Sequence, residues 1–299
     1  MNRHRLTLVL LVLVLVPSVR SQICRRFCGD IQLRYPFGSG PGCGDPRFTK
    51  YISCNETMLT FTTHTGSYPI TNIDYANEIL YVSDPSMSTC FCTQPSKGFG
   101  LDWDAPFTFQ DDTVFALLGC SLDSSPMYKG AFRGNTSDVP QCDDTEIAGT
   151  NLCSALYACQ PIRQLNVPIT TCCVYAPVDL GPTFEMDLQK LQCKAYTATY
   201  SFDRQEMNPE AWKFGVALKY KFNVKNEYPI YCINCEKSDG VCAYTGMYDD
   251  FTCNCRSGLN TSTDCEFGFY WSSGIMLLPS SKGIWSLISA VLLLFWISF

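Results

Sequence analysis

The segment from Cys24 to Cys54 decides the fold, and it reads CRRFCGDIQLRYPFGSGPGCGDPRFTKYISC. Its four cysteines are interspersed with glycines and prolines that favour turns, and so short a segment cannot bury a hydrophobic core of its own. In a secreted chain, disulfide bonds supply the stability that such a core would otherwise provide. We therefore expect a cross-linked, turn-rich unit at this end of the mature chain.

The first 21 residues have the parts of a secretory signal peptide: Arg3 and Arg5, the apolar residues 6–16, and Val19 and Ser21 before the cleavage point. The apolar run is too short to span a bilayer, which favours cleavage after Ser21 over an uncleaved anchor. In an oxidising compartment we expect the 19 cysteines to form nine bridges, with one thiol free or joined to another chain. The pairing itself does not follow from the sequence.

The mature N-terminus carries positive charge on an otherwise acidic protein. The whole chain has a formal charge of −6, whereas residues 22–54 hold five basic and two acidic side chains, a local charge of +3. The basic residues are Arg25, Arg26, Arg34, Arg47 and Lys50. Either they are scattered, solvated side chains or they form an anion-binding face, because a local reversal of charge concentrates the electric field. Nucleic acid is not an expected partner in this compartment.

The remaining sequence predicts a mainly β, disulfide-rich secreted protein with two small β domains. Runs of β-branched and aromatic residues between turn signals predict strands at 58–64, 68–75, 79–82, 107–110, 113–120 and 171–178. Residues 151–160 predict a short helix. Cys90 and Cys92 lie two residues apart, face the same side of an extended chain and should not bond each other. We expect a first domain at 22–95, an acidic connector at 96–150 and a second domain at 151–271 that ends in a cysteine-rich knot.

Residues 212–225 show the clearest periodicity of the chain. Apolar residues from Phe214 to Val224 alternate with polar ones, four of them lysines, which predicts one long strand with a buried and a solvated face. The lysines either keep that face soluble and discourage aggregation or form a second cationic surface for a polyanion.

The last six cysteines form the predicted C-terminal knot. They are Cys232, Cys235, Cys242, Cys253, Cys255 and Cys265. A Cys-x-x-Cys pair with further cysteines is also a pattern that binds zinc, but secretion favours disulfides.

Glycosylation and membrane attachment are predicted from short signals. Sequons at Asn55, Asn135 and Asn260 mark expected surface positions. Residues 272–299 begin with small residues at Ser272, continue through a nine-residue spacer and end in an apolar run, the arrangement of a glycolipid-anchor signal attached at Ser272. A short single transmembrane span is the alternative.

Several of these motifs together resemble a plant receptor family. Cys28-Gly29, Tyr35-Pro36-Phe37-Gly38, Gly42-Cys43-Gly44 and the run from Phe48 to Cys54 resemble the galacturonan-binding domain of wall-associated receptor kinases. Cys232-x-x-Cys235, Ser238-Asp239-Gly240-Val241-Cys242 and Phe251-x-Cys253-x-Cys255 are similar to the carboxy-terminal wall-associated domain of the same proteins. The family pattern prefers glycine where Asp239 and Ala243 stand, and a kinase is lacking.

The resemblance implies binding of pectin, an acidic cell-wall polysaccharide whose sugars carry carboxylates. Guanidinium groups bind carboxylates bidentately, and aromatic faces stack on sugar rings. The candidate ligand-binding residues are Arg25, Arg26, Arg34, Tyr35, Arg47 and Lys50. Phe37 is expected to pack inward, and no cofactor or metal is expected.

The resemblance implies a non-catalytic pectin (polygalacturonate) binder at the extracellular face of the plasma membrane, which tethers the cell wall or acts as a co-receptor. A protein-interaction ectodomain that partners a receptor kinase is one alternative, and a pectin-active glycosidase is another. Catalysis is disfavoured because His64 is the single histidine of the mature chain and no nucleophile-elbow motif is present. Adjacent aspartates, such as Asp111-Asp112 and Asp143-Asp144, point apart on an extended chain and fit a carboxylate pair poorly.

Overall fold

The computed structural model describes residues 24–94, 96–128, 142, 147–177, 185–223, 225–245 and 249–266. Four predicted features lie outside the described residues: the signal peptide, the Asn135 sequon, the Asp143-Asp144 pair and the tail with Ser272. Among the described residues, no helix combines the length and apolar composition needed to cross a membrane.

Short strands dominate the described chain, with few helices between them. The strands are β1 (Phe27–Cys28), β2 (Ile31–Gln32), β3 (Ile52–Asn55), β4 (Met58–Thr63), β5 (Gly66–Asp74), β6 (Ile79–Val82), β7 (Gly98–Gly100), β8 (Phe107–Phe109), β9 (Val114–Leu118), β10 (Cys173–Tyr175), β11 (Glu185–Asp187), β12 (Ala195–Ser201), β13 (Lys213–Phe214), β14 (Val216–Tyr220), β15 (Val241–Thr245), β16 (Asp250–Asn254) and β17 (Asn260–Thr261). The helices are α1 (Pro46–Thr49), α2 (Ile147–Leu156), α3 (Gln160–Gln164) and α4 (Ile230–Lys237). Single 3-10 turns lie at Pro126–Tyr128, Ile169–Thr171 and Pro209–Ala211. The predicted mainly β, disulfide-rich class is confirmed.

The largest sheet has six antiparallel strands in the order β3-β4-β5-β6-β14-β8. A second sheet has the order β10-β9-β12-β13, and the smaller ones are β1-β2, β7-β11 and β15-β16-β17. Strand β14 lies between β6 and β8, so the six-stranded sheet takes strands from all three predicted segments of the chain. The sheets therefore do not follow the predicted domain boundaries.

An aromatic cluster joins the N-terminal segment to this sheet. Phe37 is 2% exposed, and its ring centroid lies 4.8 Å from that of Tyr220 and 5.5 Å from that of Phe48, both edge-on. Phe48 in turn contacts Phe107 edge-on at 5.4 Å. Edge-to-face contacts between rings at these distances stabilise the fold beyond the free energy gained by burying the rings. Phe37 thus packs inward, as predicted.

The predicted single strand over residues 212–225 is wrong, because the chain changes sheets at Gly215. Lys213 and Phe214 pair with β12, whereas β14 pairs with β6 and β8. Gly215 has φ +138, and a side chain there would come within 2.7 Å of the carbonyl oxygen of Val82. A two-residue period predicts the face of most residues in each part, but it does not reveal a break between sheets.

The helix predicted at 151–160 is displaced rather than absent. Helix α2 begins four residues earlier and ends at Leu156, and α3 begins at Gln160 with a proline in its first turn. Proline favours the first turn of a helix, because the backbone N–H that it lacks would have no intrahelical partner at that position.

Eighteen of the 19 cysteines form disulfides, and the remaining one, Cys92, is exposed. The pairs are Cys24–Cys43, Cys28–Cys54, Cys90–Cys159, Cys120–Cys193, Cys142–Cys173, Cys153–Cys172, Cys232–Cys242, Cys235–Cys253 and Cys255–Cys265. Cys90 and Cys92 do not bond each other, as predicted. Disulfides rather than zinc engage the Cys-x-x-Cys pair, which lies on α4.

The two ends of the described chain contact each other directly. We call residues 24–54 the N-terminal knot and residues 230–265 the C-terminal knot. Gly44 N donates to Cys242 O at 3.1 Å, and Cys43 forms an isolated antiparallel bridge with Ala243. This contact places α4 beside the basic N-terminal segment.

Candidate ligand-binding groove

A groove of about 580 Å³ lies between the N-terminal knot and helix α4. Its charged lining residues are Arg26, Arg34, Glu236 and Lys237. Gln32, Tyr75 and Tyr228 add polar and aromatic surface. The groove therefore combines three cations with one carboxylate and several ring edges.

Tyr35 forms part of the groove wall, but its ring is not available to a ligand. The residue is 3% exposed, and its ring stacks on Phe222 at 6.0 Å and meets Tyr228 edge-on at 5.4 Å. Its hydroxyl donates to Asp45 Oδ2 at 2.7 Å. The prediction that Tyr35 stacks on a sugar is therefore wrong, because core rings already cover this side chain.

Arg34 is held in place by neighbours that leave its charge uncompensated. Its guanidinium donates to Gln32 Oε1 at 3.0 Å and lies 5.8 Å from the ring centroid of Tyr75. The Tyr75 hydroxyl accepts from Arg34 N at 2.9 Å and donates to Gln32 O at 2.9 Å. Burial raises the pKa of Tyr75, which keeps this hydroxyl protonated. Within the described part of the chain, Arg34 has no carboxylate partner.

Glu236 connects the two knots. Its Oε2 accepts from the Tyr228 hydroxyl at 2.6 Å, and its Oε1 accepts from Tyr35 N at 3.1 Å. Burial raises the pKa of Tyr228, and the hydrogen bond to Glu236 adds to this shift, so the tyrosine remains a donor. Both carboxylate oxygens of Glu236 thus accept hydrogen bonds from residues that form the groove.

The next residue, Lys237, ends α4, is exposed, and has no ion pair with any described residue.

Arg26 is paired across the boundary between the knots. Its Nη1 lies 2.8 Å from Asp239 Oδ1, and its Nη2 also donates to the carbonyl oxygen of Asp239. The side-chain hydrogen bond from Arg26 and the charge of its guanidinium lower the pKa of Asp239, with a smaller effect from Arg256. Asp239 has φ +69, a left-handed conformation that favours glycine, which gives a physical reason for the family's preference at this position. Here the aspartate adopts that conformation and supplies the partner of Arg26.

The other predicted cations do not line the groove. Arg25 donates to the carbonyl oxygens of Glu56 and Cys54, beside the exposed sequon residue Asn55. Arg47 binds Asp45, and this hydrogen bond raises its pKa. Lys50 Nζ lies 2.7 Å from Asp104 Oδ2.

Three of the five cations behind the local +3 charge are therefore paired with carboxylates. Asp239 and Asp104 lie 213 and 54 residues away from their partners in the chain, so the local sequence does not reveal this pairing. Lys237 was missed for the same reason, because it joins Arg34 at the groove only through the contact between the knots.

Two family models match the chain. The model described as wall-associated receptor kinase galacturonan-binding matches residues 24–84, and the wall-associated receptor kinase C-terminal model matches residues 181–258. The first match contains Arg26 and Arg34, and the second contains Glu236, Lys237 and Asp239. The groove is thus built where the two matched regions meet. No solved structure matches the chain.

Curated relatives come from Arabidopsis thaliana. Wall-associated receptor kinase-like 20 is 32% identical over 111 residues, 33% of this chain and 17% of its own length. Wall-associated receptor kinase 2 is 27% identical over 146 residues, 46% of this chain and 19% of its own. Wall-associated receptor kinase-like 15 is 26% identical over 206 residues, 66% of this chain and 30% of its own, so the chain spans less than a third of each receptor. The two matched regions of the chain are therefore similar to the galacturonan-binding and C-terminal regions of wall-associated receptor kinases, and its 299 residues include no kinase domain.

Proposed function

We propose that the chain is an extracellular pectin-binding protein that holds polygalacturonate in the groove between the N-terminal knot and α4. One observation carries the proposal: Arg34 and Lys237 line this groove without a carboxylate partner among the described residues. Polygalacturonate carries a carboxylate on each sugar. The planar guanidinium of Arg34 suits bidentate binding of one carboxylate, and the ammonium of Lys237 acts on another as a point charge.

The remaining cations take different parts in this proposal. Arg26 uses two N–H groups on Asp239, and a guanidinium has five, so it can still donate to a ligand while it joins the knots. Arg25 is exposed outside the groove and would meet an extended polymer next to Asn55. Arg47 and Lys50 are neutralised by carboxylates and would contribute less.

We further propose that binding is not accompanied by catalysis. A glycosidase of the usual kind needs two carboxyl groups flanking the bond that is cleaved. Among the described residues that line the groove, Glu236 is the one carboxylate, and both its oxygens already accept hydrogen bonds from the protein. The similarity to wall-associated receptor kinases supports a role as a wall tether or as co-receptor of a receptor kinase. Glycans at Asn55 and Asn260 and an anchor at Ser272 are parts of the same proposal.

Binding to polygalacturonate should depend steeply on salt. If each of the two ion pairs releases about one counterion from the polymer, a fourfold rise in salt weakens binding by about tenfold. Fully methyl-esterified pectin offers no carboxylate, so it should bind at least about tenfold more weakly and with little salt dependence. Calorimetric titration of the secreted chain with both polymers measures this. Equal affinity for the two polymers would contradict the proposal.

A further inference from the structure

Trp103 is exposed to a degree that is unusual for so large a side chain. It is 84% exposed on the loop between β7 and β8, whereas Trp212, the other tryptophan in the described part of the chain, is 5% exposed. Neither Trp103 nor its neighbours line the groove described above. The exposed indole therefore lies outside that groove.

The residue before Trp103 is fixed to the turn between β4 and β5. Asp102 Oδ1 accepts from His64 N at 3.0 Å and lies 2.5 Å from His64 Nδ1. Ala105 N donates to the carbonyl oxygen of Asp102 at 3.0 Å and closes the turn that carries the indole. The loop is thus anchored on its first side.

The residue after Trp103 is fixed to the core. Asp104 accepts from Lys50 Nζ at 2.7 Å and from the Tyr51 hydroxyl at 2.8 Å. Tyr51 is 2% exposed and packs against Phe61 and Phe107. The hydrogen bond from Lys50, followed by that from Tyr51, lowers the pKa of Asp104, so the anchoring carboxylate stays ionised. With both flanks anchored, the indole is presented from a preorganised base, which reduces the entropy lost on binding.

The surroundings of the indole select the chemistry of its ligand. The cores of protein interfaces are depleted in charge, whereas two carboxylates flank Trp103 directly. A sugar ring is amphipathic: its C–H face can lie on an aromatic ring while its hydroxyls donate to carboxylate oxygens, each of which accepts more than one hydrogen bond. Lys50 is already paired with Asp104, so it is not available to a uronate, and the two carboxylates beside the indole favour a neutral sugar.

We propose that Trp103 is a stacking platform for a neutral sugar of a glycan chain, with Asp102 and Asp104 accepting hydrogen bonds from the hydroxyls of that sugar. This site is separate from the groove and does not rest on the function proposed for it. A polysaccharide with acidic and neutral parts would contact both.

The test uses the secreted chain and short neutral oligosaccharides of β-linked glucan, galactan and arabinan. At least one should change the tryptophan emission of the wild type, and Trp103→Ala should remove the change and weaken binding by about tenfold or more. Trp103→Phe should restore part of the binding because it keeps an aromatic face. Circular dichroism should show an unchanged fold, since the removed side chain is exposed.

Two comparisons separate this proposal from the function proposed for the groove. Trp103→Ala should leave polygalacturonate affinity within about twofold, and Arg34→Glu with Lys237→Glu should leave neutral-sugar binding intact. No response to any neutral oligosaccharide, or a response that Trp103→Ala does not change, would overturn the proposal. The proposal would also be overturned if Trp103→Ala removed binding to lipid vesicles or to a receptor ectodomain while no neutral oligosaccharide gave a response.

Discussion

A chain that carries Arg34→Glu and Lys237→Glu together is expected to lose affinity for polygalacturonate by about a hundredfold, because each change turns an attraction into a repulsion. Both side chains are exposed at the groove, and no described carboxylate holds either of them, so the fold should tolerate the change. Arg26 is left intact in this variant because its loss would also remove the ion pair with Asp239. Calorimetric titration at low salt measures the effect.

The matched control changes the net charge by the same amount elsewhere. Arg204 and Lys213 are exposed and do not line the groove. Arg204→Glu with Lys213→Glu should reduce polygalacturonate affinity by no more than about threefold, through the general field of the protein alone. If the control loses as much affinity as the groove variant, binding depends on net charge and the proposed site is refuted.

Gly240→Ala is expected to prevent correct folding of the C-terminal knot. A methyl group at this position would collide with Cys253 Sγ and would lie 2.6 Å from Cys235 Sγ and 2.8 Å from Cys265 Sγ. These sulfur atoms belong to two disulfides, and loss of one native disulfide typically costs about 2–5 kcal/mol out of a total stability of about 5–15 kcal/mol. We expect little secreted protein and additional free thiols, measured by secretion yield and thiol counting.

Gly258→Ala is the matched control for this substitution. Gly258 has φ +81, and a methyl group there would meet no heavy atom within 4 Å. The change therefore introduces only backbone strain of about 1–2 kcal/mol, and secretion should remain close to that of the wild type. Equal loss of secretion in both variants would show that contact with the disulfides is not the cause.

Local sequence patterns predicted the strand bounds well for segments that stay in one sheet. Strand β6 has the predicted bounds of 79–82, and β4, β5 and β8 differ from prediction by only one or two residues. The change of sheets at Gly215 was not predicted, because the apolar alternation continues through it. Strand β14 also buries Ala217, which lies on the face predicted to be solvated, since β6 and β8 flank the strand on both edges.

The candidate groove was predictable only in part, because its lining also depends on contacts between residues that are remote in the chain. Composition located Arg26 and Arg34 on a basic segment, and both line the groove. Composition did not show that Asp104 neutralises Lys50 or that Lys237 completes the cationic lining, since both depend on long-range packing. The aromatic contacts that bury Tyr35 are equally remote in the chain, as Phe222 and Tyr228 show.

Hydrogen–deuterium exchange of the secreted chain, with and without a de-esterified oligogalacturonide, tests the central claim most directly. The account predicts slower amide exchange at residues 32–35 and 233–241, on the two sides of the groove, and unchanged exchange in the loop at 101–105. Protection confined to other parts of the chain, or no protection when the ligand is saturating, would contradict it.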